Sequence, residues 1–313
     1  GIKKGVFGDK GLPPENGNID KKVFGLKQGV LVPVLAFASV PVIAYLLSAY
    51  KALGAEGTFF DDQNIVNVIF KLIGLSILVY LGYIMYKATV DERKKLFVAV
   101  LITFFMTIFW GFHELSGSVI TLFAARNVDL DGIMSASQTN SLNSMWIIIL
   151  AIPISLMWQW LSKKKLNPRT PYKFGMGLLF AGISFYALAV SGASANENGF
   201  VPFAYLLLMY FLLSVGELFM SPVGLSKITD LSPKRIVAFM MGVWFLSSAF
   251  AFQVVGFIGK QLAIESTDAD ISGFNTLTVY TDGFMLIAQY ALGAGVLVIL
   301  ASPLIKRLMG KVH

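Results

Sequence analysis

The sequence contains no cysteine and only two histidines, His113 and His313, and only 14% of its 313 residues are charged. The lack of cysteine excludes disulfide frameworks, thiol catalysis, iron–sulfur clusters and cysteine-based zinc sites. Two histidines offer few ligands for any other metal site. Because soluble domains contain about 25% charged residues, this composition also argues against a soluble protein.

Apolar residues dominate the composition. Hydrophobic residues make up 56% of the chain and include 26 Phe, and the mean hydropathy is +0.71. Several apolar runs exceed about 18 residues, the length that separates a membrane-spanning helix from a buried core helix. We therefore expect an all-α membrane protein that crosses the lipid bilayer several times.

Eight apolar segments approach or exceed the roughly 20 residues that a helix needs to cross about 30 Å of hydrocarbon. They lie at about 28–52, 64–88, 95–124, 142–162, 172–193, 200–228, 236–262 and 282–305. The connectors between them carry Gly, Pro, Asn and Asp, residues that interrupt helices. The sequence thus predicts eight transmembrane helices, and we find no internal repeat among them.

The basic residues indicate how these helices are oriented, because Lys and Arg in short loops stay on the cytoplasmic side. Alternate connectors and the two terminal segments hold all but four of the 25 Lys and Arg residues, the exceptions being Lys51, Lys71, Arg126 and Lys260. We expect a protein of the inner (plasma) membrane with both chain ends in the cytoplasm. Basic residues distributed between apolar runs do not form the clustered face that binds nucleic acid, so a nucleic-acid partner is not expected.

Two carboxylates, Glu114 and Glu217, fall inside predicted spans. A charge at bilayer depth costs on the order of 2.5 to 3.5 kcal/mol, so such a residue is a candidate for function, although an interhelical hydrogen bond is the structural alternative. Glu217 follows Gly216 and precedes Pro222, which is expected to bend the helix and to expose polar backbone to a cavity. A proton or a cationic ligand could neutralise this carboxylate, which is what exchange of the two requires.

Glu114 is predicted in the outer half of its span, where it could serve a gate or proton entry. Its neighbour His113 points about 100° away on a helix, so the sequence does not imply a dyad of the two. For His113 a packing role and a pH-sensing role stay open. The two residues begin an HExxH-like pattern, but position 117 is Gly and the other histidine is terminal, so a zinc protease site is excluded.

Two tryptophans stand out among the aromatic residues. Trp110 lies one turn before Glu114 and therefore on its face, and Trp244 lies among small residues that allow helices to approach closely. Either could wall a pocket, or could be an interior or interfacial tryptophan instead. Asn143 directly precedes an apolar run and is expected to enter the membrane.

Four motifs in these spans resemble the proton-dependent oligopeptide transporter family of the major facilitator superfamily. They are 109–117 (FWGFHELSG), 168–177 (PRTPYKFGMG), 217–226 (ELFMSPVGLS) and 240–246 (MMGVWFL), in this order. The resemblance implies that 1–27 is a cytoplasmic loop between bundles, that 28–90 is an inserted transmembrane helix pair and that 91–313 is the C-terminal six-helix bundle, helices seven to twelve. It also implies a partner, an N-terminal six-helix bundle, which is absent from this sequence.

The resemblance also implies roles for individual residues. Glu217 would bind the amino terminus of a peptide, and Glu114 would serve the outer gate and proton coupling, to which His113 and Glu217 would contribute. The peptide site would further include Asn143, which would hydrogen-bond the peptide backbone, Ser221, and the pocket walls Trp110, Trp244 and Phe245. The sequence departs from the family at Leu115 and Ser116, where many members carry Gln, and at His113, where some carry a second carboxylate.

The resulting hypothesis is proton-coupled symport of di- and tripeptides by alternating access, with protons as the coupling ion and no cofactor. The alternative within the family is a carrier of another small solute, such as nitrate or a peptide-like metabolite. A membrane enzyme is less favoured, because the sequence offers no recognisable nucleophile or metal site beside either carboxylate.

Overall fold

A computed structural model of the chain describes residues 22–23, 25–48, 65–261 and 273–310. The chain divides into two compact units, residues 1–70 and residues 71–313. Most of the predicted loop 1–27 lies outside the described residues, and the assignment of 28–90 and 91–313 to separate domains stays a prediction.

The described part of the first unit begins with a short antiparallel pair, β1 (Lys22–Val23) and β2 (Leu26–Lys27). Helix α1 (Gln28–Ser48) follows directly and contains two prolines, Pro33 and Pro41. This helix corresponds to the first predicted span, of which residues 49–52 lie outside the described residues.

The remaining helices agree with the other seven predicted spans. Among the described residues, seven segments are long and apolar enough to cross a membrane. The helices are α2 (Ile65–Lys87), α3 (Val90–His113), α4 (Val119–Asn127), α5 (Ser141–Lys163), α6 (Thr170–Val190), α7 (Phe203–Leu231), α8 (Val237–Gln261) and α9 (Gly273–Met309). Helices α3 and α4 together form one of the seven segments, Val90–Asn127. The expected multi-pass helical fold is therefore confirmed, and the count of eight spans is confirmed for seven of them.

The predicted span 95–124 is not one continuous helix. Helix α3 ends at His113, a 3₁₀ turn covers Glu114–Gly117, and α4 begins at Val119. Ser118 has φ −131° and ψ −89°, outside the helical region, and its backbone N–H donates to the Leu115 carbonyl at 3.1 Å. The interruption places Glu114 on irregular backbone, which at membrane depth is tolerated only inside protein or along a cavity.

The N-terminus of α3 is held by local and long-range polar contacts. Thr89 and Glu92 form a capping box, in which each side chain accepts from the backbone N–H of the other. Arg235, in the turn that precedes α8, donates to both carboxylate oxygens of Glu92 at 2.9 and 3.0 Å. This contact joins α3 to the start of α8.

Helix α9 starts nine residues earlier than the predicted span 282–305 and continues to Met309. The extension contacts the end of α4. Asn127 donates to the carbonyl of Gly273 at 2.7 Å and to that of Gly199 at 3.2 Å, and Arg126 donates to the Tyr280 hydroxyl at 3.0 Å. A parallel pair of short strands, β3 (Val128–Asp129) and β4 (Val201–Pro202), lies at this same end.

Helices α6 and α7 cross where both carry glycine. A Cβ atom on Gly216 would lie 2.7 Å from the carbonyl oxygen of Gly177, so neither helix tolerates a side chain at the crossing. Helix α7 continues through Pro222 to Leu231. The close approach at Gly216 positions the next residue, Glu217.

Candidate functional site

Glu217 lies at a junction of three helices. Its Oε2 atom is 3.1 Å from Nε2 of His113 on α3, and accepts a hydrogen bond of 3.1 Å from Nδ2 of Asn143 on α5. Asn143 also donates to the Ser214 hydroxyl at 3.0 Å. The structure therefore brings together three of the residues singled out in the sequence, from positions far apart in the chain.

The two oxygens of the Glu217 carboxylate differ. Both contacts described above reach Oε2, and within the described parts of the chain no hydrogen bond reaches Oε1. The Glu217 side chain is 19% exposed. A carboxylate can accept about four hydrogen bonds, so this group has capacity for a further donor.

His113 is the last residue of α3 and is buried, and its ring is 4.8 Å from that of Trp110 in an edge-on arrangement. Its Nδ1 atom has no partner among the described residues. When Glu217 is ionised, Nε2 must carry the proton of the contact between them. The partner of His113 is thus not its neighbour Glu114 but a carboxylate 104 positions later in the chain.

Glu114 occupies the 3₁₀ turn that follows α3. It is close enough to His113 and Glu217 to interact electrostatically with both. The two intramembrane carboxylates and the imidazole therefore form one electrostatically coupled group. Within the described residues, no cluster of three or more His, Asp or Glu residues could hold a metal ion.

An aromatic cavity of about 330 Å³ lies beside this group. Four residues expected in the substrate site line it, together with four others: Trp110, Ser221, Trp244 and Phe245, with Met106, Pro222, Leu225 and Ser248. Trp110 belongs to both places, because it lines the cavity and contacts His113. The Ser221 hydroxyl is buried without a described hydrogen-bond partner.

The two residues from α8 occupy different environments. Trp244 is 6% exposed and packs over Gly224 of α7, whereas Phe245 is 64% exposed. Trp244 therefore has a packing role as well as a place in the cavity wall.

The sequence analysis did not single out Ser214. Its hydroxyl accepts a hydrogen bond from the Asn143 side chain and donates a long one, of 3.4 Å, to the backbone carbonyl of Asn143. Ser214 precedes Glu217 by three positions, so it shares a helix face with that residue. This spacing is the signal that could have identified it.

The chain is similar to known membrane transporters. A family model described as "PTR2: POT family" matches residues 48–276. "Dipeptide and tripeptide permease A" of Pectobacterium carotovorum is 29% identical over 252 residues, which are 79% of this chain and 48% of that protein. "Uncharacterized transporter YclF" of Bacillus subtilis is 29% identical over 273 residues, covering 86% of this chain and 51% of the relative.

Solved structures resemble the fold along most of the chain. A crystal structure of a peptide transporter POT in complex with sulfate superposes with a TM-score of 0.68 at 30% identity, covering 90% of this chain and 54% of the other. A crystal structure of tetrameric PepTSo2 superposes with a TM-score of 0.69 at 24% identity, covering 90% of this chain and 56% of the other. The chain thus spans about half the length of the relatives that it matches.

Proposed function

The chain belongs to the POT family, which is a family of transporters and not of enzymes, and we propose that it is the C-terminal part of a proton-coupled carrier of di- and tripeptides. Matched relatives are named dipeptide and tripeptide permeases, which supports a peptide substrate. The enzyme alternative has no support in this family.

The observation that carries the proposal is the half-satisfied carboxylate of Glu217. Oε2 is held by His113 and Asn143, while Oε1 is available to a donor. The ammonium group at the amino terminus of a peptide is a strong donor to a carboxylate, through a charge-assisted hydrogen bond. Binding there compensates an ionised Glu217 that would otherwise be costly inside the membrane.

The rest of the peptide would extend into the aromatic cavity. The Ser221 hydroxyl lies one helical turn after Glu217 and has no described partner, so it can bond the peptide backbone, as can Asn143. Trp110, Trp244 and Phe245 would contact peptide side chains. An apolar cavity with few polar groups is typical of a small-molecule site.

The contact between His113 and Glu217 supports the proposal of proton coupling. In the empty carrier a protonated Glu217 donates from Oε2 to Nε2 of His113. When the ammonium group arrives, that proton passes to Nε2, the carboxylate pairs with the ammonium group, and the imidazolium is stabilised by Glu217 and Glu114. The proton is later released on the side where the peptide leaves. Glu114 would also serve the outer gate.

The working carrier would pair this chain's six-helix bundle, 91–313, with a second six-helix bundle, while 28–90 would form an inserted helix pair. Alternating access would rock the two bundles about a site near the middle of the membrane. Prolines inside α5 and α7, Pro153 and Pro222, would provide flexible points for gating.

We place the protein in the inner membrane with both ends of this chain in the cytoplasm. The two bundles together would form the complete transporter.

The test is uptake of labelled alanyl-alanine into proteoliposomes that contain the complete transporter, with and without an inward proton gradient. Glu217→Gln is expected to abolish gradient-driven uptake, because an amide neither titrates nor pairs with an ammonium ion. Glu197→Gln, a matched change at an exposed loop position, is the control and should transport normally.

Undiminished uptake by the Glu217→Gln variant contradicts the proposal. If the folded native protein takes up no alanyl-alanine, the substrate belongs to another class of small solute. Nitrate and a peptide-like metabolite are then the candidates, and alanyl-alanine should not compete for uptake of the one that is transported.

A further inference from the structure

A second cavity, of about 580 Å³, lies between the beginning of α6 and the second half of α7. Its lining differs from that of the aromatic cavity, because it contains basic side chains in addition to hydroxyl groups. These include Arg169, Thr170, Lys173, Ser226 and Lys227. The distribution of Lys and Arg along the chain assigns this end of the helices to the cytoplasmic side.

Lys173 is the most unusual residue of this basic cavity. It is only 8% exposed, and its Nζ lies 4.0 Å above the ring of Trp158 on α5. Among the described residues no carboxylate pairs with it. A cation–π contact offsets only part of the cost of burying an ammonium group, so Lys173 lacks a counter-ion.

The other charges around the cavity increase this need for an anion. Lys227 is close enough to Lys173 for the two ammonium groups to repel each other, and Arg169 supplies a third cation. Asp230 is the one described carboxylate in direct contact with this group, 3.2 Å from Lys227 and half exposed. Three cations therefore face a single carboxylate.

The backbone adds a further attraction for an anion. Helix α6 begins at Thr170, and no side chain caps its first turn. Pro171 in this turn has no backbone N–H, and the Lys173 N–H donates to the Arg169 carbonyl at 3.2 Å. The attraction therefore comes from the positive end of the helix dipole, beside which Arg169 and Thr170 line the cavity. Buried Lys173 is an independent feature that points to the same chemistry.

We propose that this cavity binds a phosphate group on the cytoplasmic side. Its source is either the headgroup of an anionic phospholipid or free inorganic phosphate. Basic pockets between transmembrane helices on the cytoplasmic side are suited to lipid headgroups, and Ser226 and Thr170 can donate to phosphate oxygens. The inference does not depend on the transported substrate, because binding can be measured without transport.

The test measures binding and thermal denaturation of the complete transporter in phosphatidylcholine nanodiscs. Phosphatidylglycerol is added to one series and inorganic phosphate to another. Lys173→Met removes the buried charge at nearly constant length, and Lys227→Gln removes a more exposed one. Lys164→Met is the matched control, because Lys164 also lies 4.0 Å above a tryptophan ring, that of Trp160, but does not line the cavity.

We expect phosphatidylglycerol to bind and to raise the denaturation temperature of the native protein. Each cavity variant should weaken binding about fivefold or more, as expected for roughly 1 kcal/mol per basic residue, and the control should not. Protection by inorganic phosphate that is lost in the same variants also supports the site, and identifies free phosphate as the source.

Equal binding by native protein, both cavity variants and the control overturns the proposal. So does the absence of binding by either probe, which would mean that another group already neutralises these cations, such as a carboxylate of the second bundle. If Lys173→Met does not fold, Lys227→Gln decides the outcome by itself.

Discussion

Two carboxylates on neighbouring helices, Glu92 and Glu217, show how differently the same group is used in this protein. Glu92 is in the first turn of α3, and both of its oxygens accept from Arg235, with Thr89 adding a backbone N–H. Glu217 lies within the membrane span, and its described contacts reach only one oxygen. Both oxygens of Glu92 are therefore paired, whereas Oε1 of Glu217 has no described partner.

The difference separates a structural carboxylate from a functional one. A carboxylate whose two oxygens are both paired in a water-accessible region joins two helices, and a ligand that approaches it must compete with a cation already in place. An incompletely paired carboxylate in a dehydrated region is costly when empty, and that cost favours any proton or cation that arrives. The following changes test this contrast, beginning with the largest expected effect.

Replacing His113 tests the partner of Oε2. His113→Leu removes the hydrogen bond to Glu217, and we expect peptide affinity to fall by roughly tenfold or more, as expected for loss of a bond to a charged group worth about 1.5 to 3 kcal/mol. His113→Gln retains an amide donor but cannot titrate. We expect it to bind peptide nearly normally and to lose gradient-driven accumulation.

Two measurements separate the loss of peptide affinity from the loss of proton coupling. Fluorescence or calorimetry measures peptide binding, and uptake with and without a proton gradient measures coupling. If His113→Gln still accumulates peptide in response to the gradient, the imidazole is not part of the proton pathway and serves only to hold Glu217 in place.

Glu114→Gln tests whether coupling is distinct from binding. Among the described residues the Glu114 side chain contributes no hydrogen bond to the Glu217 site, only an electrostatic interaction. We therefore expect a several-fold loss of gradient-driven uptake with peptide affinity nearly unchanged. Peptide exchange across the membrane without a gradient should continue. A variant with a lower affinity and normal coupling contradicts this assignment.

Glu92→Gln tests the other side of the comparison and should have the smallest effect. It weakens the bidentate contact with Arg235 and leaves the substrate site unchanged, so a small decrease in denaturation temperature is expected with uptake close to native. Adding salt should decrease the stability difference between native protein and variant, because this contact is partly exposed. Loss of transport without loss of stability would show that the contrast between the two carboxylates is wrong.

The sequence predicted the elements of the fold better than their interruptions. The ends of α5, α7 and α8 lie within a few residues of the predicted spans, because apolar length is a property of each segment alone. The break after His113 was missed, since Gly117 and Ser118 are compatible with a helix in an apolar run. The extension of α9 was also missed; its first residue, Gly273, is bonded to Asn127 of α4, a contact between distant positions that the sequence alone does not show.

The candidate site shows the same division. Glu114 and Glu217 were identifiable because a carboxylate in a hydrophobic span is unusual in any structure. Trp110, Ser221, Trp244 and Phe245 were expected together, and they line one cavity. Their roles in transport stay predictions, and the contact between His113 and Glu217 was not anticipated.

The sequence by itself determined that this chain is a helical membrane protein with two carboxylates at membrane depth. The transfer of each segment into hydrocarbon depends on that segment's own side chains. Only the tertiary structure decided that His113 contacts Glu217, and which carboxylate oxygen is left available. Those facts depend on how closely the helices approach, as at Gly177 and Gly216, where the absence of side chains allows two backbones to meet.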